Sequence, residues 1–262
     1  MQGDCAGGKG TFNYAGELAG QHYRGEWKNS LRHGWGVHHY VGGRYEGLWE
    51  KDQRQGEGTY ESSSGHRYRG GWHNDQPHGQ GVFAHANGNR YDGLWSNGSQ
   101  HGAGTMSYQD GSRYSGGWHQ GKPSGQGEFL FADGGQHKGE YQDGKAHGFG
   151  IYRYTEGDRY EGMWRRGLRH GYGTLHMANG SRYEGPWRKG ERQGEGTVYF
   201  NDGDRHVGAY ENGERNGVGT YYFANGDRYI GQYQDQRKHG TGTYYYVDGE
   251  RYEGQYHHGV KT

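Results

Sequence analysis

The chain has 262 residues; 58 are glycine and only 28% are hydrophobic, yet 41 are aromatic (8 Trp, 26 Tyr, 7 Phe). So few Leu, Ile and Val exclude a packed α/β enzyme, whose sheet needs apolar cover on both faces; the rings exclude a disordered glycine-rich chain, and 3 prolines exclude collagen. Thirty basic residues balance thirty acidic ones, which argues against bulk capture of nucleic acid, and Cys5 alone supports neither a disulfide framework nor a cysteine zinc cluster.

No apolar run approaches the ~18 residues of a membrane helix. The N-terminus, MQGDCAGGKG, lacks the apolar core of a secretory signal, so an intracellular, mostly β chain is expected. From that end, residues 8–22 form a half-repeat whose Gly8-Lys9-Gly10-Thr11-Phe12 reads as one strand. Tyr23-x-Gly25-x-Trp27 opens the first complete repeat, and its first, third and fifth residues share a face because strand side chains alternate. Seven residues past the Trp comes Gly34-x-Gly36, a second strand whose glycines and following apolar positions also share a face. The first motif then returns at Tyr45, Tyr68, Tyr91, Tyr114, His137, Tyr160, Tyr183, His206, Tyr229 and Tyr252; the first step is 22 residues and every later one 23. Ten repeats fill 23–251, and a half-repeat, 252–262, follows. No linker or shift of composition interrupts them, so one continuous array over 1–262 is expected.

Six residues separate each Trp position from Gly-x-Gly, and five separate the second strand from the next Tyr; both read as hairpin-length loops. Glycine stands three residues before the Tyr position all eleven times, from Gly20 to Gly249, where a turn needs positive φ. The fold expected is therefore all-β: an elongated repeat array of antiparallel β-hairpins, a single-sheet meander. Four ring columns place 35 of the 41 aromatics on one face. Glycine inside strands costs roughly 0.5–1 kcal/mol relative to Ala, and the offset expected is room for a ring to lie flat over bare backbone.

These residues, Tyr-x-Gly-x-Trp, then Gly-x-Gly, then an Asn/Asp-Gly-x-Arg-Tyr turn, resemble the MORN repeat from about Gly8 to Gly259. Departures are His137 and His206 at the Tyr position, and Tyr141, Tyr210, Tyr233 and Tyr256 at the Trp position. The resemblance implies an array of hairpins with a groove lined by rings, of the kind found in radial spoke head proteins of cilia, cytoskeletal scaffolds and junctophilins. In members that are enzymes, the chemistry belongs to a second domain.

Six histidines, His33, His78, His101, His147, His170 and His239, occupy one column just before Gly-x-Gly. Equivalent positions in successive hairpins are roughly 10 Å apart, too far to share an ion, so no metal is expected. Gly-x-Gly never follows a strand and opens a helix as a dinucleotide loop does, and no Gly-Lys-Ser/Thr or Gly-x-Ser-x-Gly is present. The same surface recurs ten times where catalysis needs one asymmetric site; no enzyme activity and no cofactor are expected.

Two surfaces remain. Trp27, Trp49, Trp72, Trp95, Trp118, Trp164 and Trp187 line the ring face and are candidate anchors for a partner segment. Arg44, Arg67, Arg90, Arg113, Arg159, Arg182, Arg205, Arg228 and Arg251 precede each Tyr position and face away from the rings, either paired with nearby acids or free to meet anionic lipid. The strand Tyr252 to Tyr256, with Gly8 to Tyr14 at the other end, is expected as an unpaired edge for self-association. The expectation is a non-catalytic scaffold that docks structural proteins of a cytoskeletal complex in a ciliary or flagellar axoneme, with peripheral binding to anionic phospholipid as the alternative.

Overall fold

The computed structural model describes residues 2–262, which fall into two compact units, 2–132 and 133–262. The repeat register gives no sign of this division, since the repeat that starts at Tyr114 runs through it. In the first unit, strands from Lys9–Asn13 to Lys122–Leu130 form an antiparallel meander in which chain neighbours pair. The second unit repeats the plan from Gln136–Gln142 to Arg251–His257. Among the described residues the one helical element is a short 3-10 turn, Gly16–Leu18, and no helix is long and apolar enough to cross a membrane.

A file of glycines crosses each unit, one per strand: Gly139 faces Gly150, Gly150 faces Gly162, and Gly162 faces Gly173. The rings explain the file. Tyr160 lies over it, and its Oη donates to the Met163 carbonyl at 3.0 Å. A Cβ built on Gly173 would sit 2.6 Å from the Tyr160 Cζ, so only glycine fits beneath the ring. The expected offset for strand glycine holds at this position.

It does not hold for the first glycine of Gly-x-Gly. Gly171 has φ of 63°, and the pairing shifts register between Gly162 and Trp164. That glycine supplies a left-handed residue at a β-bulge instead of clearance for a ring.

The six-residue loops are also corrected. Strands run on past the Trp position and close in two-residue turns with both φ positive, such as Asn97 (47°) and Gly98 (79°), the twist that matches a hairpin. The other loops match expectation: the glycines from Gly20 to Gly249 have φ between 88° and 97°.

Both supposed bare edges are partly covered. Val260–Lys261 folds back so that Tyr256 faces Lys261 and His257 faces Val260, and the Thr262 N–H donates to the Gln255 carbonyl. At the other end Gln2–Gly3 pairs with Thr11 and Gly10. Tyr256 is buried and Tyr252 half-buried, so the edge left open is the Arg251–Glu253 end of the strand.

Candidate functional site: the ring face and its cations

The ring face is built in layers. Deepest lie Tyr23, Tyr45, Tyr68, Tyr91, Tyr114, Tyr160, Tyr183 and Tyr229, all fully buried. Burial pushes the phenols of Tyr91 and Tyr114 up to about 12, so they stay protonated donors. Each hydroxyl donates to the carbonyl three residues on, as Tyr68 does to Gly71 at 2.8 Å.

The Trp column sits next and ties successive hairpins together. Trp49 Nε1 donates to the Gly36 carbonyl, Trp72 to Gly58 and Trp164 to Gly150, each one hairpin back. Edge-on contacts with the Tyr of its own repeat and of the repeat before complete the rivet, as for Trp187 between Tyr183 and Tyr160, at 5.2 and 5.3 Å. Trp49, Trp72, Trp118, Trp164 and Trp187 are buried, and only Trp27 and Trp95 are half-open. For those five the reading as exposed anchors is therefore corrected: rings of their own and of the preceding repeat cover the indole. What stays accessible are rings at the two apolar positions of the second strand, including Tyr60, Phe83 and Phe129 at the first and Phe200 and Phe223 at the second, all half-buried.

Where His replaces Tyr, the Trp position changes with it. His137 Nδ1 lies 2.7 Å from the Tyr141 hydroxyl, and His206 Nδ1 lies 3.1 Å from that of Tyr210. Burial holds His137 down to about 4 and, with the charge of Arg215, His206 down to about 3, so both rings are neutral at physiological pH.

Sequence reading missed a second cation column. The two-residue turn brings the residue five past each Trp position opposite that ring: Trp49 faces Arg54, Trp164 faces Arg169, Trp187 faces Arg192, Tyr210 faces Arg215 and Tyr233 faces Lys238. Each guanidinium reaches over the ring of the next hairpin, as Arg32 does over Trp49 at 4.1 Å and Arg169 over Trp187 at 4.1 Å. Counting five residues past each Trp would have found them, had the turn been recognised from Asn97-Gly98, Asp143-Gly144 and Asn212-Gly213.

The arginines named from sequence lie on the opposite face and are mostly engaged. Arg44 pairs with Glu46 and Glu61, Arg67 with Glu61, Arg90 with Asp92, Arg159 with Glu161 and Arg182 with Glu184. Arg182, Arg205 and Arg228 also stack over the cross-strand Tyr199, Tyr222 and Tyr245 at 3.8, 4.2 and 4.6 Å. Arg113 and Arg251 are exposed and in no ion pair among the described residues. No group of three or more His, Cys, Asp or Glu converges as a metal site among the described residues.

Tandem hairpins stapled by Tyr and Trp over a glycine file define a β-repeat protein. The chain belongs to the MORN repeat family, whose repeat matches ten consecutive segments, 23–43, 45–67, 68–90, 91–113, 114–136, 137–159, 160–182, 183–205, 206–228 and 229–251. No curated protein matches it. Among solved structures, the chain is similar to the TCP10 domain of Danio rerio CPAP in complex with a peptide of STIL, at 11% identity, 86% of this chain, 97% of that one and a TM-score of 0.41. It is also similar to the Drosophila melanogaster SAS-4 TCP domain in complex with a proline-rich motif of Ana2, at 16% identity, 60% and 85% coverage and a TM-score of 0.39. A Staphylococcus aureus virginiamycin B lyase is more distant, at 10% identity, 97% and 86% coverage and a TM-score of 0.18.

Proposed function

We propose that this protein is a non-catalytic scaffold that docks partner proteins along its ring face within a cytoskeletal assembly, of the radial spoke head type in a ciliary or flagellar axoneme. The observation that carries the reading is the pair of half-open second-strand positions, which present aromatic anchors in most hairpins of each unit. A repeated surface suits contact with an extended partner, whereas a reaction centre needs unlike groups converging on one point. Family membership supports a scaffold; the axonemal placement is our extension from the occurrence of such arrays in radial spoke head proteins. Proximity labelling in the source cell, with fractionation into a detergent-insoluble cytoskeleton, tests it. Axonemal proteins in the labelled set support the reading, and a chain that fractionates away from the cytoskeleton defeats it.

A further inference from the structure

In the first unit only Arg32 and Arg54 hold this column, with Pro77, Gln100 and Pro123 at its later positions, and the two arginines differ from those of the second unit in what neutralises them. In the first, each arginine has an internal carboxylate: Arg32 Nε donates to Asp52 Oδ1 at 2.9 Å and Arg54 Nε to Asp75 Oδ1 at 3.0 Å. Those aspartates are the second residue of the next two-residue turn. In the second unit that turn residue is Gly190, Gly213 or Gln236, and no carboxylate is supplied. Arg169 donates to the Gly190 carbonyl at 2.8 Å, Arg192 to the Gly213 carbonyl at 2.6 Å and Arg215 to Gln236 Oε1 at 3.2 Å.

Lys238 and Lys261 continue the row, with Lys238 4.5 Å above the Tyr229 ring and Lys261 4.4 Å above that of Tyr252. None of these five cations is in an ion pair among the described residues. Burial, then the charges of Lys261 and Arg215, hold Lys238 below the usual lysine range. Three carboxylates of this unit's turns are spent on backbone and hydroxyl donors. Asp158 accepts from the Ala178 N–H, Asp204 from the Ala224 N–H and Tyr221 Oη, and Asp227 from the Val247 N–H and Tyr244 Oη. Beside the cations runs an apolar row, Met177, Phe200, Phe223 and Tyr246, half-buried.

We propose that the ring face of residues 159–262 docks an acidic, extended segment of a partner protein with a carboxylate at every third residue. The inference rests on the scaffold reading and names the chemistry of its partner. Successive hairpins repeat at two strand spacings, about 9.5 Å. An extended or polyproline-like peptide laid across the strands advances ~3.1 Å per residue, so every third side chain meets the next cation. The residues between them meet the apolar row. Half-buried guanidinium groups stacked on rings lose little freedom on binding a carboxylate, which favours this geometry.

The test is anisotropy of a labelled 15-residue peptide with Glu at every third position, titrated with the full chain. A scrambled peptide of equal composition, a Lys-for-Glu peptide and phosphatidylserine vesicles are the comparisons. The patterned peptide is expected to bind at least tenfold more tightly than its scramble and to weaken as salt rises. Gly190→Asp with Gly213→Asp gives Arg169 and Arg192 the internal carboxylate that Asp52 and Asp75 give in the first unit, and is expected to weaken binding at least tenfold with all arginines kept. Arg192→Met should weaken it about fivefold, whereas Arg54→Met should leave it unchanged. Equal binding of patterned and scrambled peptides, wild-type affinity in the double Asp variant, or binding to vesicles but not to the peptide overturns the proposal. A chain that ignores the acidic peptide yet takes the Lys peptide, or still fractionates with the cytoskeleton, overturns the charge assignment and leaves the scaffold reading standing.

Discussion

Trp187 Nε1 donates a 3.1 Å hydrogen bond to the carbonyl of Gly173, one hairpin back, and the Arg169 guanidinium stacks 4.1 Å from the same indole. One residue thus fastens two repeats by a ring, a donor and a cation platform. Trp187→Ala is expected to cost about 3–5 kcal/mol, the range for truncating a buried large aromatic. Trp187→Phe costs less, because ring contacts survive while the donor is lost. Urea denaturation followed by far-UV circular dichroism reads both; a loss under about 1 kcal/mol for Trp187→Ala would contradict the rivet.

The glycine file makes a sharper demand. Gly173→Ala places a methyl against the Tyr160 ring, and overpacking of this kind costs about 1–3 kcal/mol even though Ala suits a strand better than Gly. Gly7→Ala is the control, since nothing lies within 4 Å of a Cβ there. Thermal melts of the two variants should separate clearly, and matching melting temperatures would show that the ring has room to move.

Acid should loosen the His-containing repeats. His206 is held down to about 3 against an ordinary 6.5, first by burial and then by Arg215. The unfolded chain therefore takes up the proton first, and the stability this ring contributes is complete above pH 6.5 and is lost as pH falls from there toward 3. Between pH 6.5 and 4 the loss amounts to about 3 kcal/mol. His206→Tyr with Tyr210→Trp copies the Tyr183–Trp187 pair and should remove that share of the pH dependence. His38, held down to about 4 by burial and then Arg32, continues to titrate in both proteins. Urea midpoints at pH 7 and pH 4 give the comparison, and identical pH dependence in the two proteins would refute the assignment.

On the opposite face, Arg159 and Arg182 sit in partly exposed pairs with Glu161 and Glu184. Exposed pairs contribute ~0–1 kcal/mol, so Arg159→Gln and Arg182→Gln should each shift stability by less than about 1 kcal/mol. With their charge already engaged, these arginines are expected to give phosphoinositide liposomes no purchase. Co-sedimentation that both variants abolish would revive the lipid reading.

The strand period was legible because it is local. Alternation along Tyr160, Gly162 and Trp164 puts them on one face whatever surrounds them, and a 23-residue step repeats that face, which was enough for hairpins, meander and family. Alternation failed at Gly171, where a bulge takes up two extra residues, and at the turns, where two left-handed residues return the chain without flipping its face. Arg169 and Arg192 were missed for that second reason: their place on the ring face depends on pairing across a turn that had been read as loop. Burial was further out of reach. Whether Trp164 or Phe200 is the open ring depends on how far the neighbouring hairpin leans over it, and whether Arg54 or Arg192 keeps an unmet charge depends on one turn residue, Asp75 or Gly213, contributed by the next repeat. Repeat identity belongs to the residues within a hairpin; exposure and neutralisation belong to contacts between hairpins, which only the tertiary structure sets.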